Sequence, residues 1–315
     1  MSMSREREGL ALCLVSAAGF GAMAIFAKQA YAAGLEVSTL LALRFVLAAA
    51  LLWALVALRR EPLGPPRSLL TAGLMGLLGY SVQAGVFFLA LTRIEAGLAS
   101  LLLYAYPALV TVAAIALRRE RADRRRVGAL TVATTGVALV LVGGGLSGDA
   151  IDVAGALLAL ASGVIYTIFI LTSDRVARDT SALAFSAAVC GGCAITFVAG
   201  SLILGDLAPS DVTREGLGWA VALAIFSTVV PIVGFLAGLA RVGPSTASIL
   251  STIEPPVTVL LAFLVFSETL SAVQLAGGAL VLSAVVLLQW GRGETQSARS
   301  AASSARSRST ARPLT

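Results

Sequence analysis

Runs of about 20 apolar residues recur from one end of this chain to the other, separated by short charged or turn-rich links. A helix of ~20 residues rises about 30 Å, the thickness of a bilayer's hydrocarbon core, and satisfies its own backbone hydrogen bonds there. Ten such runs are expected as spans, near residues 9–31, 37–58, 68–90, 96–117, 126–143, 152–173, 180–204, 216–239, 244–266 and 270–290. Composition agrees. With 58% apolar and 13% charged residues, 315 residues cannot present the polar faces of a soluble domain. The expected fold is an all-α integral membrane protein.

The links are too short for a soluble catalytic domain, and the Ser/Ala/Arg-rich tail, 291–315, has too little to bury and is expected to be disordered. The first run is longer than a secretion-signal core and has no obvious cleavage site, so it is kept as the first helix. With ten spans both termini share a side. All 23 basic residues except Lys28, Arg44, Arg93 and Arg214 fall on that side, which the positive-inside rule makes cytoplasmic. Topology and anionic lipid account for the pI near 9.8, so no nucleic-acid partner is expected. Trp53 and Trp290 at inner ends and Trp219 at an outer end suit interfacial rings. The motif "CGGC" at 190–193 has the spacing of a redox or metal pair, but it lies within an apolar span of a chain with no histidine. Its small residues suit close helix packing, as do Gly73, Gly76 and Gly79 on the third span, where a sliding surface for gating is an alternative. No metal or cofactor is expected.

Sliding the sequence over itself by 148 residues lays 91–120 on 239–268 with eight of 30 positions identical, among them Arg93/Arg241, Pro107/Pro255 and Glu120/Glu268. Each half then holds five spans, and an odd number turns the second copy over. The expected organisation is therefore two inverted-topology five-helix repeats, 1–146 and 147–290, followed by the tail. Inverted repeats are a common construction of secondary transporters, whose substrate site lies between the halves.

The segments "LALRFVLAAALLW" (41–53), "EAGLASLLLYAYPALVTVAAIAL" (95–117) and "PPVTVLLAFLVFSETLSAVQLAGGALVLSAVVLL" (255–288) resemble EamA-type members of the drug/metabolite transporter superfamily. The resemblance covers both repeats; the family's frequent Trp-Gly in the first span is Phe20–Gly21 here. It implies a ten-helix carrier of small metabolites in the bacterial inner membrane, often an exporter of amino acids or related compounds.

Buried ionisable groups in a bilayer cost at least about 2.5–3.5 kcal/mol each and mark functional positions. Glu254 and Arg44 are the two deepest, about 15 Å from the inner face and about 11 Å from the outer, so they fall at similar depth and could pair. Glu254 reads either as a proton- or amine-binding carboxylate facing a cavity, or as a structural partner of Arg44. Pro107, Pro255 and Pro256 are kink candidates whose freed carbonyls need a partner or water. Tyr80, Tyr104, Tyr106 and Tyr166 sit inside spans rather than at their ends, with Gln83 a turn from Tyr80, which suits either a wet chamber or helix-to-helix bonding. Ser248, Ser251 and Thr252 either line the same chamber or bond back to their own helix. Lys28, near the outer end of its span, reads as a snorkelling anchor, and Glu120 and Glu268 as helix-end packing.

The function this supports is a secondary transporter working by alternating access around a chamber between spans 1, 3, 4, 6, 8 and 9. "GGGLSG" (143–148) lacks the Lys and Ser/Thr of a phosphate-binding loop, so ATP is not the energy source. The expected partners are a small-molecule substrate, the lipid bilayer and protons, with the chain a monomer or a homodimer. A lipid-active intramembrane enzyme or flippase-like protein and a non-transporting scaffold are the alternatives. The enzyme lacks the clustered acids or histidines it would need.

Overall fold

The computed structural model describes residues 3–118, 123–145, 152–205 and 212–288, with the side chains of 3, 4, 144, 145, 174, 175, 244 and 245 left aside. The tail, Trp290 and Glu120 lie outside them. Among the described residues every regular element is helical. Nine helical stretches among the described residues are long and apolar enough to cross a membrane, and Ala272–Leu288 is a shorter apolar helix. Their ends fall within about four residues of the expected limits.

Span 1 comprises α1 (Met3–Gly21) and α2 (Met23–Ala32), span 2 is α3 (Val37–Arg59), and span 3 comprises α4 (Pro66–Met75) and α5 (Ser81–Leu91). Span 4 is α6 (Ala96–Leu103) with α7 (Tyr106–Ala116), span 5 is α8 (Arg124–Gly145), span 6 is α9 (Val153–Asp179) and span 7 is α10 (Ala182–Leu204). Span 8 runs through α11 (Arg214–Ala224) into α12 (Val230–Ser251), which turns into span 9 at Gly243 (φ 81°), and α13 (Glu254–Phe266) completes span 9. The last apolar helix, Ala272–Leu288, is α14.

Local signals set the ends. Pro66 opens α4, where a missing N–H costs nothing. Asp152, Ser181 and Thr213 cap α9, α10 and α11, each accepting an amide from the residue three places on, Gly155, Ala184 and Gly216.

Packing follows membrane rules. Large aliphatic side chains point outward, Leu58 (80% exposed) and Ile203 (85%) among them, while alanines dominate the interior. Lipid tails solvate leucine as well as another helix does, so helices gain by bringing small residues, and hence backbones, together. At the crossing of span 3 with α10, a Cβ added to Gly76 would lie 2.0 Å from the Val189 carbonyl oxygen, and one on Gly192 would lie 2.0 Å from that of Gly73. The thiol of Cys193 donates to the Gly76 carbonyl (3.3 Å), and Cys190 and Cys193 are free thiols buried in this contact. "CGGC" is a packing motif here.

Neighbours obey a pseudo-two-fold. Span 1 packs on span 8 as span 6 packs on span 3, and span 2 meets span 8 as span 7 meets span 3. Span 2 lies against span 7 and span 4 against span 9, each pair joining equivalent helices of the two halves.

Candidate functional site

Most of the spans around the centre are interrupted. Span 1 breaks at Ala22, span 4 at Tyr104–Ala105 and span 9 at Thr252–Ile253, with Pro107 and Pro255 in the first turns of the segments that follow. Spans 3 and 8 each carry a π-helical turn, Gly76–Tyr80 and Ile225–Val229. The 148-residue slide places Tyr80 on Thr228, so the two wide turns are equivalent. Such turns are concentrated at functional sites. Between these interruptions lies a cavity of about 280 Å³.

The structure brings Glu254, Tyr80, Gln83, Tyr104, Tyr106, Tyr166, Ser251 and Arg44 onto the wall of this one cavity. Its walls come from the six expected spans and from span 2, through Arg44. Phe20, at the position of the family's Trp, is also part of the lining.

At one end, Glu254 opens α13. The Tyr104 hydroxyl donates its one proton to the Ser251 carbonyl (2.5 Å), tying span 4 to the break in span 9 beside Glu254. Thr258 donates to the Gly21 carbonyl (2.8 Å), and a Cβ on Gly21 would lie 2.8 Å from the Glu254 carbonyl oxygen. The broken middle of span 1 thus presses on the backbone that carries the acid. The hydroxyls of Ser251 and Thr252 donate to Ala247 and Ile249 of their own helix, so that half of the expectation for these residues holds.

Arg44 lies elsewhere on the wall, 2% exposed. Its Nε donates to the Thr228 hydroxyl (2.9 Å), and its guanidinium lies 4.8 Å from the Phe45 ring centroid and 5.1 Å from that of Phe88. The Arg44–Glu254 ion pair that equal depth allowed is not formed among the described residues: the arginine bonds Thr228 of span 8 and lies against Phe88 of span 3. Equal depth placed the two on one cavity without bringing them into contact.

Aromatic rings join the two ends. Phe45 meets Tyr80 (6.2 Å between centroids), Tyr80 meets Tyr166 (6.2 Å), Tyr166 meets Tyr106 (4.8 Å) and Tyr106 meets Tyr104 (5.7 Å). Gln83 is fixed by donating to Ser162 (2.9 Å). The result is a pocket with a cation and an acid at separate places, and π faces and phenols between them. Such a surface accommodates a small molecule that is both charged and partly apolar.

A charge cluster at the far end of spans 1, 4 and 9 was not anticipated as one unit. Lys28 pairs with Glu268 (2.6 Å), and the other carboxylate oxygen accepts the Ala96 and Gly97 amides at the start of α6 (2.8 and 3.5 Å). The signal for it was opposite charges at the same ends of spans 1 and 9. Lys28 holds this carboxylate instead of only snorkelling.

The model of the EamA-like transporter family matches the chain twice, over residues 7–142 and 153–290. The chain belongs to the EamA-like transporter family. An uncharacterized transporter of Archaeoglobus fulgidus is 29% identical over 287 residues, covering 90% of this chain and 97% of that one. The uncharacterized inner membrane transporter YedA of Escherichia coli K12 is 26% identical over 250 residues, covering 79% and 80%. A solved crystal structure shares the fold at 20% identity, with a TM-score of 0.62 over 89% of this chain and 96% of its own. This EamA-like protein is a multi-pass membrane transporter, and the two family matches coincide with its two sets of spans.

Proposed function

We propose that this EamA-like protein is a secondary carrier that exports amino acids or related small metabolites across the bacterial inner membrane, with both termini in the cytoplasm. The two repeats, 1–146 and 147–290, would rock about the central cavity and expose it to each side in turn. Transport draws on a gradient, either the substrate's own or that of protons, and the chain is read as a carrier without catalytic chemistry.

One observation carries this reading. Eight residues from both halves, including a partly buried acid and a buried cation, line a single cavity at breaks in the helices around it. Broken helices at a repeat interface are where secondary transporters hold their cargo. That the carrier takes a proton or a substrate ammonium at Glu254 is supported by the position of that acid on the cavity wall, next to the Tyr104–Ser251 bond between equivalent helices of the two halves. Counterflow of a labelled amino-acid mixture into proteoliposomes tests the carrier, and no uptake above empty vesicles refutes it. With protons coupled, Glu254→Gln should abolish pH-driven uptake; an unchanged pH dependence removes Glu254 from coupling.

A further inference from the structure

Arg44 is a buried cation whose side chain makes one hydrogen bond among the described residues. Thr228 supplies it, and the chemistry of that hydroxyl is fixed. Its single proton goes to the Leu223 carbonyl (3.0 Å), across the π-helical turn, so towards Arg44 it only accepts. The guanidinium carbon lies over the rings of Phe45 and Phe88. Neither terminal nitrogen has an acceptor among the described residues, and the group borders the cavity. With Nε engaged by Thr228, the two terminal nitrogens remain, a two-pronged donor that matches the two oxygens of a carboxylate.

Leaving such a charge without a counterion is costly in lipid, and a structural arginine would have been given an acid. Among the described residues no ion pair joins Arg44 to Glu254, the acid on the same cavity.

We propose that Arg44 is the docking point for the carboxylate of the transported molecule and that Thr228 is a positioning residue that sets the plane of its guanidinium. The inference rests on the carrier reading above and narrows it. The substrate class is a monocarboxylate, with any ammonium group directed to Glu254 and an apolar or aromatic remainder against the tyrosines.

The test compares acids with their amides. Purified full-length protein in detergent is titrated with leucine, phenylalanine and acetate, and with leucinamide, phenylalaninamide and acetamide, reading the thermal shift. At least one acid should be favoured over its amide by about tenfold or more, since a charged hydrogen-bonded group is being removed. Arg44→Gln should erase that preference, and Arg44→Lys should keep only part of it, as an ammonium is a point charge rather than a fork. Thr228→Val retains the charge and covers the case in which Arg44→Gln does not fold; it should lower the acid-to-amide ratio without changing amide binding. Acids and amides that shift alike, no shift with any acid, or a preference that survives Arg44→Gln or, where that variant does not fold, Thr228→Val overturns the assignment. The carrier reading is judged separately by counterflow: uptake of leucinamide without preference for leucine refutes the carboxylate site and leaves the carrier intact.

Discussion

Glu268 answers three donors with one carboxylate, and the amides it accepts lie 172 and 171 residues earlier in the chain. An acid at a helix N-terminus is favoured by both the free amides and the helix dipole. Lys28 adds a partly buried ion pair, with side-chain exposures of 21% and 11%. The two contributions separate by substitution. Glu268→Ala removes the cap and strands Lys28, and should cost about 1–3 kcal/mol of stability in detergent unfolding. Lys28→Met leaves the capping intact and should cost less; the reverse order would make the ion pair, not the cap, the main contribution. Single residues were legible in the sequence as rarities: Glu254, Arg44 and Glu268 stand out because charge is scarce in such text. Their partners were not legible. Thr228 and the α6 amides are ordinary groups brought near by the turning over of one half, and depth alone allowed Arg44 a pair with Glu254 that is not formed among the described residues.

The helices show what periodicity and punctuation can and cannot specify. Span limits followed from hydrophobic length, because the bilayer fixes that length physically. The breaks in spans 4 and 9 follow from Pro107 and Pro255. The wide turn Ile225–Val229 is explicable after the fact, since Pro231 cannot donate to the Ser227 carbonyl one turn back. Its partner Gly76–Tyr80 contains no proline, and its reason lies in packing, at the place where α10 comes closest. Gly76→Ala should therefore force backbones apart and lower stability by about 1–3 kcal/mol or more. Gly79→Ala, whose new Cβ would meet only the Phe169 ring at 3.7 Å, should be mild. Equal tolerance of both, read from unfolding midpoints of the purified variants, would show that the crossing relaxes freely.

Across the whole molecule the inverted repeat fixes both the pairing of spans and the location of the cavity, and it was visible as three matched rare residues. The topology it implies is directly measurable. In a chain freed of Cys13, Cys190 and Cys193, a cysteine at Leu63 should react with a membrane-impermeant maleimide only after the cells are opened, and one at Thr92 should react in intact cells. Labelling of both from the same side would break the alternation of the spans and, with it, the inversion of the halves.

The paired wide turns have a mechanical implication. Each leaves its helix holding one residue more than its rise requires, a slack that can pass along the rod like a ruck in a carpet. Tyr80 closes one of these rucks and Thr228 lies within the other. A shift of either by a single position would swing a ring or a hydroxyl in or out of the hollow while the ends of the rod stay put in the lipid.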